Sequence, residues 1–394
     1  VASANGLVEE DLIGGYLSEA KAPTTHFTAL SIDGGGVRGL IPALLIKRLA
    51  KEINIPLYEL FDYIGGTSIG GILALSLVTP ELDDEGRSKG IPKVNPQDLP
   101  GLFRDHGRDI FPTGIKSSYS ITQLHHYFWD KLKYLISPVT KYIVAPYKTD
   151  GLEEFLKTQL NEKTYLDQVL GNVMVTAVDI SEKSYKPFLF DSIEANTHYL
   201  AHRRVRLWEV GRSTSAGPCY YPAHQFKYEA SGHTEQDNHL LIDGGLWLNN
   251  PASLVSKQLF KWARQNNMVA WNKNIHVISL GTGYANTDYP LSANAGYLPA
   301  ARPLIETLMS VSSQHVDQTM TAFLGDNYIR INPRLDKNIE LDEVGEPTYQ
   351  ALEEAAELVY PRIEELVREE GPLRKILEAG VFKDKSSQQQ PAKK

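Results

Sequence analysis

Short apolar runs that end in glycine recur along the chain, and most are followed by a stretch with helical spacing. Phe27-Thr28-Ala29-Leu30-Ser31-Ile32 reads as a buried strand; a glycine loop follows, and the spacing predicts an amphipathic helix from Leu40 to Ile53, with Pro42 tolerated in its first turn. Residues 57–64 lead into Gly65-Gly66-Thr67-Ser68-Ile69-Gly70-Gly71, after which Ile72 to Leu77 continues as an apolar helix that stops before Thr79-Pro80. A polar loop rich in glycine and proline over 81–100, a short helix within 101–113 and a helix over 152–170 come next. Val173 to Ile180 is a strand with Pro187 to Phe190 as its hairpin partner. Leu240-Leu241-Ile242 is another strand, and Asn249-Asn250-Pro251 opens a helix running to about Ala263. The strand Ile275 to Leu280, a long helix over 301–323, a short strand from Asn327 to Ile331 and glutamate-rich helices over 347–379 complete the pattern. Strands alternating with helices predict an α/β protein with a mainly parallel sheet covered on both faces.

Composition narrows the function classes. At 394 residues the chain is long enough for one large α/β domain with a substantial core. A formal net charge of −8 argues against general nucleic-acid binding, which needs a basic surface. A single cysteine, Cys219, excludes an internal disulfide framework and reads as a small buried apolar residue. No run of 18 apolar residues predicts a transmembrane helix, and Val1 to Gly6 lacks the basic and apolar regions of a signal peptide. A cytoplasmic or membrane-peripheral location is therefore expected. Residues 1–26 read as an N-terminal extension, 27–380 as one catalytic domain and the polar stretch 381–394 as a disordered tail.

Three of the glycine-marked strand ends carry chemistry. Gly66-Thr67-Ser68-Ile69-Gly70 fits G-x-S-x-G, a sharp strand-to-helix turn that exposes a serine Oγ at a helix start. The N–H groups of that helix start favour developing negative charge. Asp33-Gly34-Gly35-Gly36-Val37-Arg38-Gly39 has two readings. It satisfies the dinucleotide pattern G-x-G-x-x-G, with Glu52 or Glu59 as the acidic partner, although no Walker A form follows. Its consecutive glycines also suit an oxyanion hole, where backbone N–H groups face a substrate carbonyl unblocked by side chains. Asp243-Gly244-Gly245 ends an apolar strand, and a carboxylate at a strand's C-terminal end lies on the ligand side of an open α/β sheet.

A serine nucleophile needs a base. The order Ser68, Asp243, then His276 or His315 fits a triad, but His276 falls early in a strand and His315 inside a helix. In a dyad, Asp243 takes the serine proton directly, which burial assists by raising its pKa from the ordinary value of about 3.9. Asp179 ends a strand as well and reads as a turn former. The basic group His202-Arg203-Arg204-Val205-Arg206 reads as a solvated helix face. Tyr127, Phe128 and Trp129, beside His125, His126, Lys131 and Lys133, form an aromatic and basic stretch suited either to a core helix or to a lid lying on lipid. Adjacent histidines diverge by about 100° on a helix, and no metal-ligand spacing occurs, so neither a metal nor another cofactor is implied.

Together the three motifs, in this order, resemble the patatin-like lipid acyl hydrolases. Arg212-Ser213-Thr214-Ser215-Ala216, Ser279-Leu280-Gly281-Thr282-Gly283, Asn54-Ile55-Pro56-Leu57-Tyr58 and Tyr328-Ile329-Arg330 are similar to the plant patatins, and the resemblance runs over roughly residues 27–375. It implies a three-layer α/β/α sandwich. It also implies a calcium-independent serine esterase of the phospholipase A or lysophospholipase type, acting on phospholipid or galactolipid at a membrane surface through an acyl-enzyme. Ser68 would be the nucleophile, Asp243 the base, and Gly34, Gly35 and Gly36, with Arg38 nearby, the oxyanion hole. Residues 114–149 look longer than in plant patatins and are the expected lid or lipid-contact insertion, with Tyr127, Phe128 and Trp129 as lipid contacts. A storage or lipid-sensing protein with a silent hydrolase site is the alternative.

Overall fold

The computed structural model describes residues 26–53, 55–112, 147–181, 185–195, 204–228, 238–265, 274–285, 297–368 and 371–373, with backbone alone for 297–301. The expected 114–149 insertion, with Tyr127, Phe128 and Trp129, lies outside these residues except for its last three positions, as do residues 1–25 and the tail.

Eight strands among the described residues form one sheet: β1 Phe27–Ile32, β2 Tyr63–Thr67, β3 Val173–Asp179, β4 Lys186–Asp191, β5 His224–Lys227, β6 Asn238–Asp243, β7 Ile275–Leu280 and β8 Tyr328–Ile331. The order is β8-β7-β1-β2-β3-β6-β5, with β4 paired to β3 off this path. From β8 to β3 the neighbours run parallel, whereas β4, β5 and β6 join antiparallel. The expected mainly parallel α/β sheet is therefore present, with an antiparallel margin.

The helices used below are α1 Leu40–Glu52, α2 Ile69–Val78, α3 Gly101–Ile110, α4 Asp150–Gln159, α5 Leu207–Thr214, α6 Ala252–Gln265, α7 Tyr297–Leu324, α8 Glu346–Glu357 and α9 Tyr360–Val367. Two hydrophobic cores separate them into layers. Leu30, Ile32, Ile64 and Val175 face the core that holds α1, α2, α8 and α9. Phe27, Ala29, Tyr63 and Met174, at alternating strand positions, face a second core with Val255 and Leu259 of α6 and Val316 and Met320 of α7. Burial on both faces explains why these strands read as nearly unbroken apolar runs. The result is a three-layer α/β/α sandwich. The helix expected over 152–170 ends at Gln159, and Leu166–Gln168 is a separate 3-10 turn.

Strand β3 is the organising element. Strand β4 occupies one edge from Met174↔Asp191 to Asp179↔Lys186. The other edge is shared: β2 covers the first half, up to Thr67↔Thr176, and β6 covers the second, from Ala177↔Asp243 to Asp179↔Leu241. Strands β2 and β6 thus run toward each other along one edge and meet end to end, where Ser68 follows Thr67 and Asp243 terminates β6. Close packing holds the junction. Thr67 Oγ1 and Thr176 Oγ1 are 2.8 Å apart, and a Cβ at Gly244 would fall 2.1 Å from the Thr176 hydroxyl.

Gly70, on the first turn of α2, lets the elbow approach the end of β1: a Cβ there would stand 2.4 Å from the carbonyl oxygens of both Ile32 and Asp33. Gly70→Ala is expected to cost about 1–3 kcal/mol by overpacking, read as a lower urea midpoint at unchanged m-value.

Candidate active site

Ser68 sits between β2 and α2 at φ 55°, ψ −127°, a backbone conformation that costs a non-glycine residue roughly 1–3 kcal/mol. The surroundings enforce it: Ser68 N–H donates to Thr214 Oγ1 at 2.8 Å, and Ser68 O accepts from Ile72 N–H at 3.1 Å as α2 begins. Ser68 Oγ donates to Asp243 Oδ2 at 2.6 Å. The other carboxylate oxygen, Oδ1, accepts the Gly245 N–H at 2.7 Å, which fixes the rotation of the group. Asp243 is buried, and desolvation pushes its pKa from 3.8 to about 6 against the opposing hydrogen bonds from Ser68 and Gly245.

Neither histidine candidate reaches this pair. His276 is at the start of β7, the opposite end from the serine, with its Nε2 2.9 Å from His26 Nδ1; burial lowers its pKa to about 4. His315 is exposed on α7. Asp179 is engaged locally, accepting from Ser181 N–H at 2.9 Å and lying 2.7 Å from His239 Nδ1. The carboxylate of Asp243 does lie on the ligand side of the sheet, but not as the end of a parallel strand. Strand β6 enters from beyond that side and runs antiparallel down to it.

The glycine loop lies against the serine, since a Cβ on Gly34 would come 3.2 Å from Ser68 Cβ. Its three expected donors divide. The Gly34 N–H is already given to Asn249 O at 3.2 Å, while the N–H groups of Gly35 and Gly36 meet no acceptor among the described residues. Gly36 has φ 57° and meets the backbone of Leu341, where a Cβ would fall 2.1 Å from the carbonyl oxygen. Arg38 closes the turn by donating its backbone N–H to Gly35 O at 3.1 Å; its side chain is not part of the pocket wall beside Ser68.

Sequence reading did not assign three supports of this loop. Arg330 on β8 grips Asp33 with two hydrogen bonds of 2.7 and 2.6 Å and donates to Ser279 Oγ at 2.8 Å. Thr282 Oγ1 donates to Gly34 O at 2.8 Å, and Asn249 Nδ2 reaches the same oxygen at 3.3 Å. A lone arginine in an otherwise apolar four-residue strand was the available signal for the first.

Ser68 and Asp243 lie in the wall of a pocket of about 60 Å³. Its walls are mainly apolar and come from distant segments, among them Ile72, Phe111, Tyr147, Tyr220, Ile305 and Met309. At the pocket margin the Tyr147 hydroxyl donates to Asp342, and Arg302 lies over the Tyr220 ring at 4.7 Å. Among the described residues no group of three or more His, Cys, Asp or Glu side chains is placed to hold a metal ion.

A serine on a strained strand-to-helix turn, at the head of a parallel sheet, places the chain in the class of α/β folds with a nucleophile-elbow turn. Within that class the chain belongs to the patatin-like phospholipase family, whose sequence model matches residues 30–255. Patatin-like protein 2 of Arabidopsis thaliana is 32% identical over 333 residues, covering 77% of this chain and 75% of that protein. The cGAMP-activated phospholipase of Escherichia coli (strain TW11681) is 27% identical over 332 residues, covering 80% and 79%. Probable inactive patatin-3-Kuras 1 of Solanum tuberosum is 28% identical over 330 residues, covering 77% and 78%. Family membership, with a phospholipase among these relatives, supports lipid acyl hydrolysis as the class of activity and sets aside the dinucleotide reading of Gly34–Gly39. No helix among the described residues is long and apolar enough to cross a membrane.

Proposed function

We propose that the protein is a lipid acyl hydrolase of the phospholipase A or lysophospholipase type, working through a Ser68–Asp243 dyad. The observation that carries this reading is the 2.6 Å hydrogen bond from Ser68 Oγ to a buried carboxylate whose pKa is raised to about 6. A carboxylate with that pKa is a better base near neutral pH than an ordinary aspartate, yet remains ionised there. Asp243 takes the Ser68 proton as Oγ attacks the acyl carbonyl. The tetrahedral oxyanion is met by the free N–H groups of Gly35 and Gly36 and by that of Ile69 at the start of α2. Collapse expels the lyso-lipid or head-group alcohol with the proton from Asp243, leaving an acyl-Ser68. Asp243 then deprotonates a water that releases the fatty acid. The apolar pocket receives the acyl chain, and the substrates are phospholipid or galactolipid drawn from a membrane surface.

Every proton and charge in this cycle is handled by Ser68, Asp243 and backbone donors, so calcium has no assigned step. Adding a chelator is expected to leave the initial rate unchanged, whereas Ser68→Ala is expected to abolish fatty-acid release from phospholipid with the fold intact. Folded wild-type protein that binds lipid and releases no fatty acid would instead favour the storage or lipid-sensing reading.

The base must be ionised to act, so kcat/KM is expected to rise tenfold per pH unit below about 6 and to level off above it. A pH–rate profile on a soluble ester checks this; a flat profile through pH 5–7 would contradict the assignment of Asp243 as base.

A further inference from the structure

Helix α7 contributes Ile305 and Met309 to the pocket wall, and its neighbouring face is apolar as well as exposed. Leu304 and Leu308 are each 50% exposed and Val311 is 59% exposed. At about 100° per residue, positions 304, 308 and 311 fall within a band roughly 60° wide, about a quarter-turn or slightly more around the helix from 305 and 309. Exposed large apolar side chains standing singly need no explanation, but three on one stripe do. The chain is 22% charged, yet from Thr307 to Val316 no residue carries a formal charge with histidine neutral. Thr307 and Thr319 border the band and His315 continues it one turn beyond Val311; all three are uncharged in that form. An uncharged apolar stripe on the helix that also supplies Ile305 and Met309 to the pocket wall suits an occupant that is itself apolar and holds the substrate.

We propose that the Leu304–Leu308–Val311 face of α7 docks on the acyl-chain boundary of a lipid layer and brings the mouth of the Ser68 pocket against it. The occupant is the lipid surface, because a substrate acyl chain leaving a bilayer at that boundary would meet Ile305 and Met309, the pocket-wall residues of the same helix. This rests on the lipid-hydrolase reading above and adds to it the surface through which the substrate arrives. Interfacial binding of this kind scales with the apolar area buried, so removing two of the three side chains removes most of it.

The test is the double variant Leu308→Gln/Val311→Gln, which keeps net charge and helix-compatible side chains at exposed positions outside the pocket wall. Co-sedimentation with phosphatidylcholine vesicles is measured beside turnover of a short-chain p-nitrophenyl ester in solution. The expected result is a fall of about tenfold or more in vesicle partitioning and in vesicle-lipid hydrolysis, with soluble-ester turnover unchanged. Vesicle partitioning equal to wild type would overturn the proposal. So would a wild-type dimer that the variant converts to monomer while vesicle binding persists, since the face would then seat a second copy. Failure of the hydrolase reading shows separately, as wild-type protein that partitions onto vesicles but turns over neither substrate.

Discussion

Asp243→Asn is expected to reduce hydrolysis of both soluble esters and lipids by about 10²–10⁴-fold while making the protein more stable at neutral pH. The two effects have one cause. Burying the carboxylate raises its pKa from 3.8 to about 6, so the folded state disfavours the ionised form that catalysis needs. The sign follows from linkage. A carboxyl whose folded pKa is raised leaves stability intact below the unfolded pKa, and stability is lost as pH rises from about 4 to about 6. Above that range the penalty is complete, about 3 kcal/mol at about 1.36 kcal/mol per pH unit. An asparagine keeps the shape and the acceptor for the Gly245 N–H without the buried charge. Thermal or urea unfolding is therefore expected to show the variant more stable by up to about 3 kcal/mol at pH 8, with the gap closing by pH 4. A variant less stable than wild type at pH 8 would contradict the assignment of a desolvated carboxylate at this position.

Arg330→Gln is expected to have the largest effect on folding, a loss of about 3–5 kcal/mol, because it strands a buried carboxylate. Asp33 and Arg330 are both buried or nearly so and meet through two short hydrogen bonds, with Ser279 completing the set. The pair joins the start of the glycine loop to the outer strand β8. Losing it releases the loop that carries the Gly35 and Gly36 N–H groups, so the ester-hydrolysis rate is expected to fall in the fraction that remains folded. Arg330→Lys supplies one charge but not the planar two-point grip, and is expected to recover stability only in part. Adding Asp33→Asn to Arg330→Gln removes the stranded charge and is expected to recover more stability than it restores activity. Urea denaturation of the four proteins measures this; an Arg330→Gln variant within 0.5 kcal/mol of wild type, roughly the scatter of neutral surface changes, would refute the role given to the pair.

What could be read from sequence was what local chemistry dictates. The runs before Gly34, Gly66 and Gly244 are buried strand ends whose glycines mark backbone contacts, and the structure puts those contacts against Asn249, Gly70 and Thr176. Long-range pairing left little local trace. Nothing within Leu240 to Asp243 says that its strand runs antiparallel, head-on toward β2, because direction is set by which edge of β3 is still open. The pocket wall was equally hidden: Tyr220, Ile305 and Met309 belong to no local motif and acquire a common purpose only when the layers close, and Tyr147 falls near the end of the expected lid or lipid-contact insertion. The placement of the two histidines gives the triad alternative no support, for a reason visible in part beforehand: His276 lies early in its strand, so the parallel sheet carries it to the far end from Ser68, and His315 is exposed on α7.

The dyad itself is tested most directly by labelling with a fluorophosphonate probe, which reacts with an activated serine whatever the lipid, followed by peptide mass mapping. Labelling is expected at Ser68, faster as pH rises through about 6, and lost in Asp243→Asn. Undiminished labelling of Ser68 in Asp243→Asn, or labelling at a different serine of the folded protein, would contradict a dyad in which Asp243 activates Ser68.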